Sequence, residues 1–213
     1  YLGEPTPYGW PSRSSYFGVF DLAGFPKDSY WLYKSEWTDE TTLHLFPHWN
    51  WSEGDKVDIW AYYNNADEVE LLVNGKSLGR RSKTKDVLHA EWLSVPFEAG
   101  KIEAVSYKDG KEVARDARYT TGPAVSLKLT ADRDVISADG YDLSFVTVEA
   151  LDANGREVPT ADDMLTFSVD GAGELFGVDN GNAADTLSLK GSRKALFSGK
   201  ALAVIRSKKG EKG

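Results

Sequence analysis

Val69-Glu70-Leu71-Leu72-Val73-Asn74-Gly75-Lys76-Ser77-Leu78-Gly79 is the segment from which the architecture follows. An apolar run meets Asn-Gly and a second short run leaves it. Both central positions of a two-residue hairpin turn need positive φ, which Asn and Gly reach at least cost, so the segment predicts a β-hairpin. Upstream, Val57, Ile59, Ala61 and Tyr63 alternate with Asp58, Trp60 and Tyr62, the period of a strand with one aromatic-rich face. Downstream, Ile102, Ala104 and Ser106 alternate with Glu103, Val105 and Tyr107 as far as Lys108-Asp109-Gly110-Lys111, a second tight turn, and Val113 to Tyr119 completes that hairpin. Six or seven short strands with turns about every 8 to 12 residues describe an immunoglobulin-like β-sandwich.

Thr121-Gly122-Pro123 breaks the pattern, because Gly and Pro interrupt strand and helix alike. It then restarts. Val125, Leu127 and Leu129 alternate with Ser126, Lys128 and Thr130, and Phe145 to Leu151 runs into Asp152-Ala153-Asn154-Gly155. Leu165 to Val169 and Ala201 to Ile205 predict further core strands, so residues 122–213 are expected to form a second immunoglobulin-like sandwich in tandem with the first. Ser207-Lys208-Lys209-Gly210-Glu211-Lys212-Gly213 has turn composition. The apolar run Ala201 to Ile205 is therefore expected at an open sheet edge, in a domain lacking its closing strand.

Composition narrows the chemistry. The 213 residues carry a net charge of −8, which gives no electrostatic footprint for a phosphate backbone or an anionic membrane, so nucleic acid is not an expected partner. The absence of cysteine excludes disulfides, thiolate zinc sites and a cysteine nucleophile. No apolar run approaches the roughly 20 residues of a membrane span. The chain opens on Tyr1-Leu2-Gly3 with neither an initiator methionine nor an apolar leader, so it is expected to be a piece of a longer protein. Of its 26 aromatic residues, 17 lie in residues 1–63, 4 in 64–120 and 5 beyond, an imbalance that suggests joined structural units.

The aromatic-rich start fits neither sandwich. Gly3, Pro5, Pro7, Gly9 and Pro11 make residues 1–11 an ordered loop. Pro26 and Asp28 open a helix over Ser29 to Trp37, with Pro26 where the first turn lacks a hydrogen-bond acceptor and Asp28 at the positive end of the dipole. Tyr30, Tyr33, Lys34 and Trp37 share one helical face, which is expected to be the packing face.

Tyr1-Leu2-Gly3-Glu4-Pro5-Thr6-Pro7-Tyr8, Trp10-Pro11-Ser12-Arg13-Ser14-Ser15-Tyr16-Phe17-Gly18 and Asp21-Leu22-Ala23-Gly24-Phe25-Pro26-Lys27-Asp28 resemble the last strand exit and last helix of the (β/α)8 catalytic barrel in glycoside hydrolase family 2 β-galactosidases. Leu43-His44-Leu45-Phe46-Pro47-His48-Trp49-Asn50-Trp51, with the hairpin at 69–79, is similar to the sandwich that follows the barrel in the bacterial, Bacteroides-like branch. Gly177-Val178-Asp179-Asn180-Gly181-Asn182 and Gly199 to Ile205 resemble its final immunoglobulin-like domain. The resemblance implies three parts: 1–36 as the end of the barrel, 37–121 as one sandwich and 122–213 as the other. It implies a retaining β-glycosidase acting on terminal β-galactosides, with no cofactor, a carbohydrate substrate and the parent's catalytic barrel as partner. It also implies an extracytoplasmic setting. Both catalytic carboxylates of the family lie upstream of Tyr1, so the fragment is expected to be inactive.

Candidate site residues follow from that placement. Glu4, with Tyr1, Tyr8 and Trp10, would lie on a loop facing the substrate cleft; alternatively Glu4 binds loop amides or pairs with Arg13. Trp49 and Trp51, two apart, could stack on sugar rings as in a non-catalytic carbohydrate-binding or adhesion module, or could pack against the helix carrying Trp31 and Trp37. His44, His48 and His89 have no metal-ligand spacing, since His44 and His48 straddle Pro47. Asp179-Asn180-Gly181-Asn182 with Asp185, and Asp152-Ala153-Asn154-Gly155, have the composition of a calcium loop without its spacing and are read as Asx-Gly turns, with no metal site.

Overall fold

The computed structural model describes residues 9–11, 17–211 and 213, and these are mainly β, with one helix and thirteen strands among them. The chain divides into two compact units. One is Pro26–Thr121; the other is Gly122–Gly213 with the described residues before Pro26.

In the first unit a helix, α1 (Asp28–Trp37), precedes seven strands: β1 (Leu43–Phe46), β2 (Lys56–Tyr63), β3 (Glu68–Val73), β4 (Lys76–Arg81), β5 (Ala90–Pro96), β6 (Lys101–Lys108) and β7 (Lys111–Tyr119). All pairing is antiparallel, in a sheet of order β1-β2-β5 and another of order β4-β3-β6-β7. The alternation in sequence sets the inner faces. Val57, Ile59, Ala61 and Tyr63 of β2 and Val69, Leu71 and Val73 of β3 are buried in one core with Leu45, Trp49, Trp92 and Ile102. Each large apolar side chain so buried stabilises the fold by about 1.5–3 kcal/mol.

The turns follow the sequence. Asn74 (φ 49°) and Gly75 (φ 82°) close the β3–β4 hairpin, and Asp109 (φ 50°) and Gly110 (φ 73°) close β6–β7. Asn74 also holds a neighbouring turn: its Oδ1 accepts the Lys101 N–H at 2.8 Å and its Nδ2 donates to the Ala99 carbonyl at 3.1 Å. Gly100, between those two partners, has φ +136°, and a Cβ there would collide with the Asn74 carboxamide. Only glycine satisfies both conditions at once.

α1 packs in the same unit as β1–β7, on a different face from the expected one. Trp31 stacks on His44 with ring centroids 4.9 Å apart, and Ser35, one turn later, is buried. Tyr33 and Trp37 pair with each other at 4.6 Å on the outside, and Trp37 remains 78% exposed. Of the expected stripe, Tyr33 and Trp37 thus face solvent, while Tyr30 and Lys34 are half-buried beside Trp31. The packing face is set by what the sheet presents, an imidazole that an indole can cover, rather than by the count of apolar residues on the helix.

The second unit holds β8 (Ser126–Ala131), β9 (Leu143–Leu151), β10 (Met164–Thr166), β11 (Gly173–Asp179), β12 (Arg193–Ala195) and β13 (Lys200–Ser207). Its main sheet has the order β11-β13-β9-β8, and β10 pairs with β12 in a second, short sheet. Ala201 to Ile205 is therefore not an open edge: β13 is laddered to β11 on one side and β9 on the other. The strand that covers it, Gly173-Glu174-Leu175-Phe176-Gly177-Val178-Asp179, has two glycines that break its alternation, and the ladder shifts register between Leu175 and Gly177. The core is smaller, built on Val148, Ala150, Val158, Ala161, Leu196 and Ala201. Beside it Lys194 of β12 is fully buried; its Nζ donates to the Leu187 carbonyl at 3.1 Å and lies 3.1 Å from Asp185 Oδ2.

Candidate functional site

Of the substrate-contact set, Tyr1, Glu4 and Tyr8 lie outside the described residues. Trp10 is described, on a turn with Pro11, and is 80% exposed.

The tryptophan pair is separated by the fold. Trp49 is fully buried in the first unit's core, tilted against Phe97 at 5.2 Å, and its indole N–H donates to the Glu98 carbonyl at 2.9 Å. Its packing partner is the sheet interior, not the helix with Trp31 and Trp37. Trp51 is 40% exposed, stacks on His48 at 4.9 Å and donates its indole N–H to the His48 carbonyl. The two do not form a joint platform, because residues 47–55 lie outside the strands and strand alternation does not govern them.

The structure gathers a different aromatic set, on the outer face of β1-β2-β5. Cross-strand register puts His44 opposite Tyr62 and Phe46 opposite Trp60. Trp31 covers His44, His44 stacks on Phe46 at 5.5 Å, Phe46 meets Tyr62 at 4.7 Å and Trp60 at 5.9 Å, and Trp60 stacks on His89 at 4.3 Å. His44 is fixed at both nitrogens. Nε2 is 2.8 Å from Asp28 Oδ1, and the Arg118 guanidinium lies 3.4 Å from Nδ1. A donor at Nδ1 and a carboxylate at Nε2 assign the proton to Nε2. Arg118 is in turn paired with Asp116 at 2.7 Å, and Asp116 accepts the Leu45 backbone N–H. This row is a packing seam: Tyr62 is buried, burial and then Asp28 raise its pKa, and Trp31, His44, Phe46, Trp60 and His89 are half-buried against one another. Burial likewise lowers His48. Sequence reasoning missed the seam because its members meet through register and through Asp28 and Arg118, distant in the chain.

Among the described residues, eight carboxylates are displaced downward from their ordinary range. Backbone N–H groups hold Asp132 (from Phe145), Asp139 (from Tyr141), Asp142 (from Ser137) and Asp152 (from Arg156) below it. Lys34 does the same for Glu40, Arg115 for Glu112 and the Ser77 hydroxyl for Glu70. Burial pushes Glu103 up, but Lys101 and Arg115 together outweigh it. A general acid for glycoside cleavage needs the opposite displacement, a carboxyl kept protonated near neutral pH. These groups are ionised anchors.

The Asx loops are occupied by their own backbone. Asp152 Oδ1 accepts from Asn154 and Arg156, Asp179 Oδ1 from Asn180 and Gly181, and Asn182 Oδ1 from Ala184. Among the described residues, no three His, Asp or Glu side chains converge as a metal site would require.

Known proteins place this geometry. Residues 127–213 match the family model described as glycoside hydrolase family 2 C-terminal domain 5, and residues 54–114 match a domain of unknown function, DUF4982. The β-galactosidase BoGH2A of Bacteroides ovatus is 54% identical over 207 residues, covering 97% of this chain and 24% of that protein. A β-glucuronidase of Formosa agariphila is 32% identical over 156 residues, 72% of this chain and 16% of that protein. A crystal structure of a β-glycosidase from Bacteroides vulgatus matches with a TM-score of 0.89 at 37% identity, over 96% of this chain and 26% of that one. The chain spans about a quarter or less of the length of these relatives. Carrying a family 2 C-terminal domain and a likeness to family 2 proteins that runs through nearly all its residues, the chain belongs to glycoside hydrolase family 2, as part of that family's C-terminal region.

Proposed function

We propose that the chain is the C-terminal accessory region of a retaining, β-galactosidase-like enzyme that hydrolyses terminal β-galactosides outside the cytoplasm, and that it has no catalytic activity of its own. The observation that carries the reading is 54% identity to the β-galactosidase BoGH2A across nearly the whole chain, against 35% to a putative β-glucuronidase over a similar span and 27% to a second β-galactosidase. Residues 37–121 and 122–213 act as two immunoglobulin-like sandwiches. The order β1-β2-β5 against β4-β3-β6-β7 supports this for the first, since it divides consecutive antiparallel strands between two sheets as that fold does. Residues 1–36 complete the catalytic barrel, the partner against which the aromatic-rich start is used.

A retaining glycosidase works with two carboxyl groups about 5 Å apart, one a nucleophile and one an acid/base. The anchored carboxylates described above are unsuited to the second role. The pure 213-residue chain is therefore expected to leave a nitrophenyl β-galactoside intact, while the full-length parent cleaves it. Turnover by the chain alone would sink the proposal.

Exposed Trp10, with Tyr1 and Glu4, contacts substrate at the rim of the parent's cleft. In the full-length parent, Trp10→Ala is expected to raise KM by about tenfold with a smaller change in kcat, the loss of one stacking contact of roughly 1.4 kcal/mol. Unchanged steady-state constants would remove Trp10 from the site.

A further inference from the structure

Asparagine followed by glycine occurs three times, at Asn74-Gly75, Asn154-Gly155 and Asn180-Gly181. Asparagine is a thermolabile residue, and glycine, with no Cβ, leaves its own nitrogen open to the carboxamide before it. The fold treats the three pairs differently. Asn74 has both carboxamide atoms tied to the backbone of another turn, Oδ1 to Lys101 and Nδ2 to Ala99. Asn180 is 2% exposed; its Nδ2 donates to the Ala195 carbonyl at 3.0 Å, its Oδ1 accepts the Asn182 N–H at 3.1 Å, and Asp179 holds the Gly181 N–H. Asn154 stands in the turn after β9, exposed together with Ala153, Gly155 and Arg156. Its carboxamide bonds, among the described residues, only to the Asp152 carboxylate of the same turn, and the space that a Cβ on Gly155 would take is open. The Gly155 N–H donates to the Asp152 carbonyl at 3.0 Å, an exposed turn bond that can open without disturbing the sheet.

We propose that Asn154 is the protein's site of spontaneous deamidation, and that the product loosens the turn which Asp152 organises. The Gly155 nitrogen gives up its proton and bonds to Asn154 Cγ; the bond from Cγ to the carboxamide nitrogen breaks, and that nitrogen leaves as ammonia. Water then opens the cyclic imide at either carbonyl. One opening leaves aspartate, and the other leaves isoaspartate, with the main chain running through the side-chain methylene. Water is consumed, ammonia is released and no electrons are transferred. Isoaspartate lengthens the backbone inside the loop that the Arg156 N–H closes on Asp152 Oδ1 at 2.9 Å and the Asp152 N–H closes on the Arg156 carbonyl at 2.8 Å. Aspartate keeps the length but sets a second carboxylate beside that of Asp152, where like charges repel. Asp152 Oδ2 also accepts the Gly122 N–H at 3.4 Å, so the change reaches the point where the chain enters the second unit. The reaction needs only water and is independent of the parent's substrate.

The test holds the 213-residue chain in warm, mildly alkaline buffer, either folded or unfolded in concentrated urea, and follows its peptides by mass spectrometry, with isoaspartate counted by enzymatic methylation. In the folded chain Asn154 is expected to convert about tenfold or more faster than Asn74 and Asn180, each of which must first break two carboxamide hydrogen bonds. In urea the three rates are expected to converge. Asn154→Gln, with a longer side chain that closes a larger ring, is expected to remove the early release of ammonia. The deamidated chain, separated by anion exchange on its added negative charge, is expected to show several-fold faster amide hydrogen exchange across residues 150–158, with peptides from Pro26–Thr121 unchanged. Conversion of Asn74 or Asn180 as fast as Asn154 in the folded chain overturns the site. So does the same ranking in urea, which assigns the difference to flanking residues rather than to the fold. Unchanged exchange in the deamidated chain overturns the loosening of the turn.

Discussion

Lys194→Ala is expected to cost the second unit about 3–5 kcal/mol, the range for breaking a buried ion pair from one side. Lys194 has no solvent exposure, and the Asp185 side chain beside it is only 12% exposed. The contact between them is charge pairing; the directed hydrogen bond of Nζ goes to the Leu187 carbonyl. Alanine removes the cation and leaves a carboxylate in a site with little water to take its place. The midpoint of a urea unfolding curve followed by circular dichroism reads the loss. Lys194→Met combined with Asp185→Leu removes both charges at similar volume and is expected to recover most of it, because the penalty lies in the uncompensated partner more than in the missing bond. A single variant as stable as the parent chain would show that Asp185 has another counter-charge and that the pair is dispensable.

Trp49→Ala is expected to destabilise the first unit by about 3–5 kcal/mol, the cost of truncating a large aromatic in a core. The cavity would open among strands of both sheets, and the Glu98 carbonyl would lose its indole donor. Trp49→Phe retains most of the volume and should cost much less. Trp51→Ala, two residues on, removes a half-exposed ring lying on His48 and is expected to change stability by less than about 1 kcal/mol. Chemical denaturation of the three variants separates the cases. Equal losses at positions 49 and 51 would contradict the burial difference on which the contrast depends.

What could be read from the sequence was local. The turns at Asn74-Gly75 and Asp109-Gly110 need only two residues to declare themselves, and the alternation around Val57 to Tyr63 names its own inner face. β11 was hidden because Gly173 and Gly177 interrupt its pattern, and its existence depends on β13, whose paired residues lie 23 (Asp179–Leu202) to 34 (Gly173–Ser207) positions later. The face of α1 was misassigned because helical periodicity counts apolar residues and cannot know that a histidine on β1 waits for Trp31. The seam through His44, Phe46, Trp60 and His89 was invisible for the same reason: its distances are set by strand register. Lys194 is the sharpest case, since nothing in Gly-Ser-Arg-Lys-Ala distinguishes a buried lysine from the exposed one that composition favours.

The aromatic imbalance between the units has an optical consequence. Trp31, Trp37, Trp49, Trp51, Trp60 and Trp92 all belong to Pro26–Thr121, whereas Gly122–Gly213 has no tryptophan and a single tyrosine, Tyr141. Indole emission therefore watches the first unit almost alone, while far-ultraviolet dichroism sums the strands of both. Two unfolding curves from one sample then carry domain-resolved information without any label: where they coincide the units melt together, and where they part, the gap belongs to the unit whose only tryptophan is the exposed Trp10.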